Sequence, residues 1–221
     1  MILAVDTSTR ALGVSLYNEP RVLTEMIWIS KNHHTIELAS SVDQALGQIG
    51  AGASELQAIS VAIGPGSFTG LRIGLAFAKG LALSHRLPII GIPTLDIIAA
   101  ALPVPPSSML AAVLEAGRRR LAIGWYRAQD GEWKQEGDLQ NLTIEEFIET
   151  ITTPILVCGE LNGEVRERLK PTNCIIPSPT LCVRRPAILA EMAWKHFQSG
   201  DFDNPATLKP IYLHHGEPIP E

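Results

Sequence analysis

At 221 residues the chain is long enough for one large domain or two small ones, each with a buried core. Its composition, 46% hydrophobic and 19% charged, excludes a disordered polar segment, and its net charge of −5 argues against tight unaided binding to nucleic acid, where a basic face supplies most of the affinity. No apolar run approaches the roughly 20 residues of a membrane span. Three cysteines (Cys158, Cys174, Cys182) form no C-x-x-C pair, so buried thiols and a cytoplasmic location are expected.

Met1 to Val5 is a short apolar run ending at Asp6, and Thr7-Ser8-Thr9-Arg10 makes a polar turn. Leu12, Val14 and Leu16 alternate with Gly13, Ser15 and Tyr17, the period of a half-buried strand. After the turn Asn18-Glu19-Pro20, Val22 to Ile29 predicts a third strand. Thr35 to Ile49 carries Ile36, Ala39, Val42, Leu46 and Ile49 at helical spacing and stops at Gly50 and Gly52, as an amphipathic helix does. Leu56 to Ile63 predicts a strand; the stretch Gly64-Pro65-Gly66-Ser67-Phe68-Thr69-Gly70-Leu71-Arg72-Ile73-Gly74 follows, running into a helix that ends near His85. Pro88 to Ile92 predicts a fifth strand, and Thr94 caps a helix to Leu102. Three strands, then helix, strand, helix and strand, is an α/β order with a mixed sheet.

Pro103-Val104-Pro105-Pro106 stops any helix, which places a domain boundary there, with one domain at 1–102 and a second at 107–221 whose tail could pack back on the first. Shifting the second half by 109 positions pairs Asp6 with Glu115, Arg10 with Arg119, Leu12 with Leu121, Val14 with Ile123 and Tyr17 with Tyr126. Each half therefore opens with an apolar strand, an acid, a turn and an alternating strand, as a duplication would. Asn141-Leu142-Thr143 reads as a helix start rather than a glycosylation sequon, and Thr143 with Glu146 forms a capping box. Strands are expected at Pro154 to Cys158 and Cys174 to Pro177, a helix at Pro186 to Phe197, and a short apolar run at Leu208 to Leu213.

Glycine in a helix or strand interior costs about 0.5–1 kcal/mol relative to alanine, so the four in the central stretch must serve a phosphate cradle, a tight turn or a closely packed helix. The stretch lacks the Lys-Ser/Thr ending of a P-loop, having Leu71-Arg72 instead. Ser67 and Thr69 are helix N-cap candidates, since Gly70 stands one place too far for G-x-S-x-G. Gly70, Gly74, Ala78 and Ala82 recur every four residues beside Leu71, Leu75, Ile73 and Phe77, predicting a small-residue groove for another helix. That helix could be Thr35 to Ile49 or part of another chain. The histidines His33, His34, His85, His196, His214 and His215 include no pair four apart; His33, His34 and Glu37 fit a polar helix start better than a metal site, so no metal is expected. Arg118-Arg119-Arg120 and Arg184-Arg185 are either solvated turns or contacts for phosphate or RNA.

The paired strand–acid–turn units resemble the actin-like (RNase H-like) and sugar-kinase folds, in which turns hold phosphate through backbone N–H groups. The resemblance implies two related α/β halves, with a vestigial nucleotide site at Asp6, Thr7, Ser8, Glu115 and Gly117. Thr7-Ser8 stands where that pattern has a glycine. Gly64 to Gly74 is similar to the hallmark of the TsaB (YeaZ) family, the bacterial accessory subunit for threonylcarbamoylation of tRNA adenosine 37. The opening Ile2 to Ser8, His34-Thr35, Ile89 to Leu95 and Lys209 to Leu213 match as well, covering roughly the first 100 residues and the tail. One departure is Glu115-Ala116-Gly117-Arg118, where the family commonly has acid-Ala-Arg.

The resemblance implies a scaffold without catalytic residues, bound to a TsaD-like catalytic subunit through Gly70, Leu71, Ile73, Gly74, Phe77, Ala78, Ile36 and Ala39. It further implies a TsaE-like ATPase partner, contact with tRNA only through the complex, a homodimer when isolated, and no required cofactor, with ATP or ADP and magnesium at a subunit boundary as the optional one. The alternative is a stand-alone ATP-dependent kinase or ATPase, with Asp6 and Glu115 flanking a magnesium nucleotide.

Overall fold

A computed structural model describes residues 1–31 and 34–213. Internal contacts divide it into two units, Met1–Thr94 with Arg185–Ile211, and Leu95–Arg184 with Tyr212 and Leu213.

The first unit is built on β1 (Ile2–Asp6), β2 (Ala11–Asn18), β3 (Arg21–Ile29), β4 (Ala58–Ala62) and β5 (Ile89–Ile92), in the spatial order β3-β2-β1-β4-β5. β1 runs antiparallel to β2 and parallel to β4, giving the mixed sheet expected. Because β1 and β4 are covered on both faces, all five residues of each are buried and neither strand alternates. Helices α1 (His34–Gln48) and α2 (Phe68–His85) cover one face, with Leu38, Val42 and Leu46 packed on Leu3, Val14 and Leu16. The other face is covered by α6 (Pro186–Ser199), which buries Leu189, Ala190 and Ala193. Its start is fixed from β3, where the Glu25 carboxylate accepts from Ala187 N at 3.0 Å and pairs with Arg185.

The second unit repeats the plan with β6 (Met109–Glu115), β7 (Arg120–Gln129), β8 (Glu132–Gln135), β9 (Gln140–Thr143), β10 (Ile155–Gly159) and β11 (Cys174–Ile175). The order β11-β10-β6-β7-β8, with β6 antiparallel to β7 and parallel to β10, mirrors the first sheet; β9 pairs with β7. Helices α4 (Ile144–Thr150) and α5 (Gly163–Leu169) cover one face through Ile144, Phe147, Val165 and Leu169. Helix α3 (Thr94–Ala100) covers the other, with Leu95, Ile98 and Ala99 packed on Leu110, Leu114 and Tyr126. Two related α/β sheets of this order are the actin-like arrangement.

The repeat is inexact at its first hairpin. Asp6 faces Gly13 in the first unit, whereas Glu115 faces Leu121, one residue short of the mate that a shift of 109 implies. The units also differ from the expected domains at 1–102 and 107–221. The apolar face of α3 belongs to the second core although it precedes the prolines, and α6 belongs to the first although it lies far beyond them. Periodicity shows that a helix has an apolar face but not which sheet receives it. The 140–143 segment is a strand, and the predicted helix begins one residue later with its Thr143–Glu146 capping box intact. Leu208 to Leu213 forms no strand. Cys158 and Cys182 are buried thiols and Cys174 is half-buried. Among the described residues no helix is long and apolar enough to cross a membrane.

Candidate functional site

The glycine stretch joins β4 to α2 and closes over the turn that follows β1. Ser67 caps α2, its hydroxyl accepting from Gly70 N at 3.2 Å. Its own amide donates to Ser8 O at 2.6 Å, and Thr7 Oγ1 donates to Gly70 O at 2.7 Å. Ser8 Oγ meets Thr94 Oγ1 at 2.9 Å, and Thr94 Oγ1 accepts from Gly64 N at 3.1 Å. The Asp6 carboxylate is only 1% exposed and accepts from Ser8 N at 2.9 Å. The polar groups of Asp6, Thr7 and Ser8 are thus satisfied inside the first unit, as buried polar groups must be. Ile211 N donates to Ile63 O at 2.7 Å, which brings the tail motif Lys209 to Leu213 to the start of the same stretch.

This geometry decides what the small-residue stripe is for. A Cβ on Gly70 would stand 2.2 Å from Thr7 O, and one on Gly74 would stand 2.1 Å from Thr7 Oγ1. The element that requires the bare backbone is the β1–β2 turn, not another helix. Gly70, Leu71, Gly74, Ala78 and Ala82 are all buried. The expectation that Gly70, Leu71, Gly74 and Ala78 present a face to a partner is therefore corrected: four-residue spacing identifies a face of close approach, and here the β1–β2 turn and the β4–β5 side of the sheet take it.

The opposite flank of α2 is open. Between it and α1 runs a groove of about 510 Å³, lined by Thr35 and Leu38 from α1 and by Phe68, Thr69, Arg72, Ile73, Ala76 and Phe77 from α2. Ile73 and Phe77, expected at an interface, form its half-buried wall. Ile36 and Ala39 are exposed on α1, Ile36 by 74%, but are not among the residues that line the groove. Sequence reasoning missed Phe68, which is 49% exposed and stacked under the Arg72 guanidinium at 3.8 Å. The available signal was the Phe68–Arg72 spacing of four, which puts both on one face, away from the buried stripe.

The other expected positions lie in the second unit. Glu115 is exposed and accepts from Asn162 Nδ2 at 2.5 Å, and Gly117 has a φ of +71° with open space around it. His34 is a helix-start residue, its Nε2 lying 3.0 Å from Thr9 O. His33, His214 and His215 lie outside the described residues, and among the described residues no three metal-binding side chains gather.

The chain is 31% identical over 195 residues to the tRNA threonylcarbamoyladenosine biosynthesis protein TsaB of Bacillus subtilis, a match covering 86% of this chain and 85% of that one. The chain belongs to the TsaB family. A family model described as TsaD, tRNA N6-adenosine threonylcarbamoyltransferase, matches residues 27–153. YeaZ from Pseudomonas aeruginosa superposes with a TM-score of 0.79 at 25% identity, covering 96% of this chain and 99% of that one. The ethanolamine utilization protein EutJ from Carboxydothermus hydrogenoformans, at 15% identity and a TM-score of 0.52 over 85% and 88% of the two chains, shares the fold alone. The fold is actin-like, as the strand order indicates.

Proposed function

We propose that this TsaB-family chain is a non-catalytic scaffold subunit of the machinery that forms threonylcarbamoyladenosine at position 37 of tRNA, and that it docks a TsaD-like catalytic subunit in the α1–α2 groove. The observation that carries this reading is the groove itself, an apolar channel lined by the exposed Phe68, with Ile36 exposed on α1, the helix that forms its other side. Apolar groups left in water at one place mark interaction surfaces. Support also comes from the first turn, where Asp6, Thr7 and Ser8 hold the fold together and their hydrogen bonds are made within it. A TsaE-like ATPase joins the complex, tRNA is met through the partners, and isolated copies self-associate through the same groove. The scaffold requires no cofactor of its own; ATP or ADP with magnesium belongs at a subunit boundary.

Depletion of this protein in its own cell, followed by mass analysis of tRNA nucleosides, tests the function. Loss of threonylcarbamoyladenosine, restored by the wild-type chain, is expected. Full modification after depletion would overturn the proposal. Calorimetry of the purified chain with ATP and magnesium addresses the stand-alone ATPase: tight binding with turnover would favour it over the scaffold.

A further inference from the structure

The second unit contains a pair of thiols that the docking reading does not use. Successive residues of β10 face opposite sides of its sheet: Val157 packs with Phe147 and Leu169, while Cys158 packs with Leu110 and Leu114. Cys182, distant in sequence, belongs to the same cluster as Cys158. It follows the short turn Pro179–Leu181, where side chains alternate outward and inward. Leu181 and Val183 are 55% and 40% exposed, and Cys182 between them is 6% exposed. Cys158 Sγ lies 3.7 Å from Leu181 O, Cys182 Sγ lies 3.7 Å from Pro177 O, and the two thiols hydrogen-bond each other. Cys174, on β11, packs against the core on the other face of the sheet. The fold thus pairs two of the three cysteines and leaves the third apart.

The pair is chemically asymmetric. The hydrogen bond from Cys158, aided by Gly159 and the Arg166 guanidinium against the effect of burial, holds the Cys182 thiol below its ordinary range. The same bond, together with burial, pushes the Cys158 thiol up. Thiolate is the form that attacks peroxides and disulfides, so Cys182 is the first to react and Cys158 stands ready to resolve it. The segment that carries Cys182 is also lightly held. Its backbone bonds are local, Leu181 N to Ser178 O and Cys182 N to Pro179 O, and the Arg166 guanidinium donates to Pro177 O at 3.1 Å. Segments held by so few bonds open locally at small cost, which admits a small oxidant to a buried thiol.

We infer that Cys158 and Cys182 form a reversible disulfide, with a hydroperoxide as oxidant and a dithiol as reductant. The Cys182 thiolate attacks a peroxide oxygen, so that an S–O bond forms as the O–O bond breaks. The departing hydroxide takes up the proton that Cys182 released and leaves as water. Cys158 then loses its proton and attacks the Cys182 sulfur; the S–S bond forms, the S–O bond breaks, and a second water leaves. The two thiols give up two electrons and the peroxide accepts them. A dithiol restores the pair by thiol–disulfide exchange. The bond fastens the segment around Cys182 to β10, a modification separate from the docking function.

Treatment of the full chain with hydrogen peroxide, followed by quenching into denaturant with iodoacetamide and mass analysis, tests it. The intact mass should fall by two hydrogens, only Cys174 should be alkylated, and peptide mapping should link Cys158 to Cys182. Dithiothreitol should return all three thiols to alkylation. The oxidised chain should unfold at higher urea than the reduced one, because the link closes a long loop. Cys158→Ser should stop at a sulfenic acid on Cys182 that dimedone traps, and Cys174→Ser should form the link unchanged. Three alkylated thiols after peroxide, a link through Cys174, or links only between chains would each overturn the inference. The native chain alone gives the decisive map, and no TsaD-like partner is present, so this test and that of the docking groove fail separately.

Discussion

The turns that follow β1 and β6 occupy the same place in two sheets of the same strand order, yet their surroundings are opposite. In the first unit Thr7 and Ser8 are fully buried beneath the start of α2 and bonded to Gly70, Ser67 and Thr94. In the second, residues 117–119 are exposed at the rim of a cavity. The difference originates in the helix that follows the strand parallel to the first one in each sheet, β4 or β10. α2 spans 18 residues and turns Gly70 and Gly74 toward Thr7, while α5 spans 7 and has nothing within 4 Å of a Cβ placed on Gly163. A repeated topology thus supplies one turn that locks a helix into place and one that stays open to solvent. The locked helix holds its other flank in one conformation, and under the proposed docking that flank would meet a partner without ordering costs on association.

The sharpest way to break this contrast is a methyl group at each turn. Gly70→Ala should destabilise the chain by about 3 kcal/mol, because its Cβ meets a backbone carbonyl that cannot move alone. Gly117→Ala, with open space and only its positive φ to strain it, should cost about 1 kcal/mol. Urea unfolding of the two variants measures both, and equal losses would mean that the first turn is not locked. Next in size is the acid that opens each turn. Asp6→Ala removes a buried carboxylate bonded to Ser8 N and should cost about 2 kcal/mol. Glu115→Ala, at an exposed site, should stay within about 0.5 kcal/mol.

The smallest effect concerns pH. Burial raises the Asp96 carboxyl above its ordinary value, opposed by a hydrogen bond from the Tyr126 hydroxyl at 2.6 Å. The folded state therefore holds that proton more tightly than the unfolded one. The resulting stabilisation is complete below the unfolded value and disappears as pH rises through the raised folded value. Asp96→Asn keeps an acceptor for Tyr126 and carries no charge. Its melting temperature should equal the parent's in acid and exceed it at neutral pH; a constant difference across pH would refute this account.

Much of the fold was legible because each segment states its own period. The alternation at Leu12, Val14 and Leu16 and the helical spacing from Ile36 to Ile49 need no tertiary knowledge, and both elements stand within a residue or so of their expected limits. What could not be read was the destination of faces. The apolar side of α6 and the glycine side of α2 both announce close packing, but sequence spacing does not say whether a helix, a sheet or a turn approaches. Short elements were also missed: α5 has two buried residues, Val165 and Leu169, too few to establish a period. The wall of the groove was half legible: Ile73 and Phe77 line it beside Phe68, which was overlooked because it stands next to the turn, as the first residue of α2.

The most direct test of the central claim is analytical sizing of this chain mixed with the TsaD-like protein of the same genome, for the wild type and for Phe68→Arg with Ile36→Ser. Both side chains are exposed, so the variant should fold with unchanged circular dichroism. The scaffold account predicts a complex at micromolar concentration with the wild type and at least a tenfold loss of affinity with the double variant. A wild-type chain that forms no complex, or a double variant that associates undiminished, would contradict it.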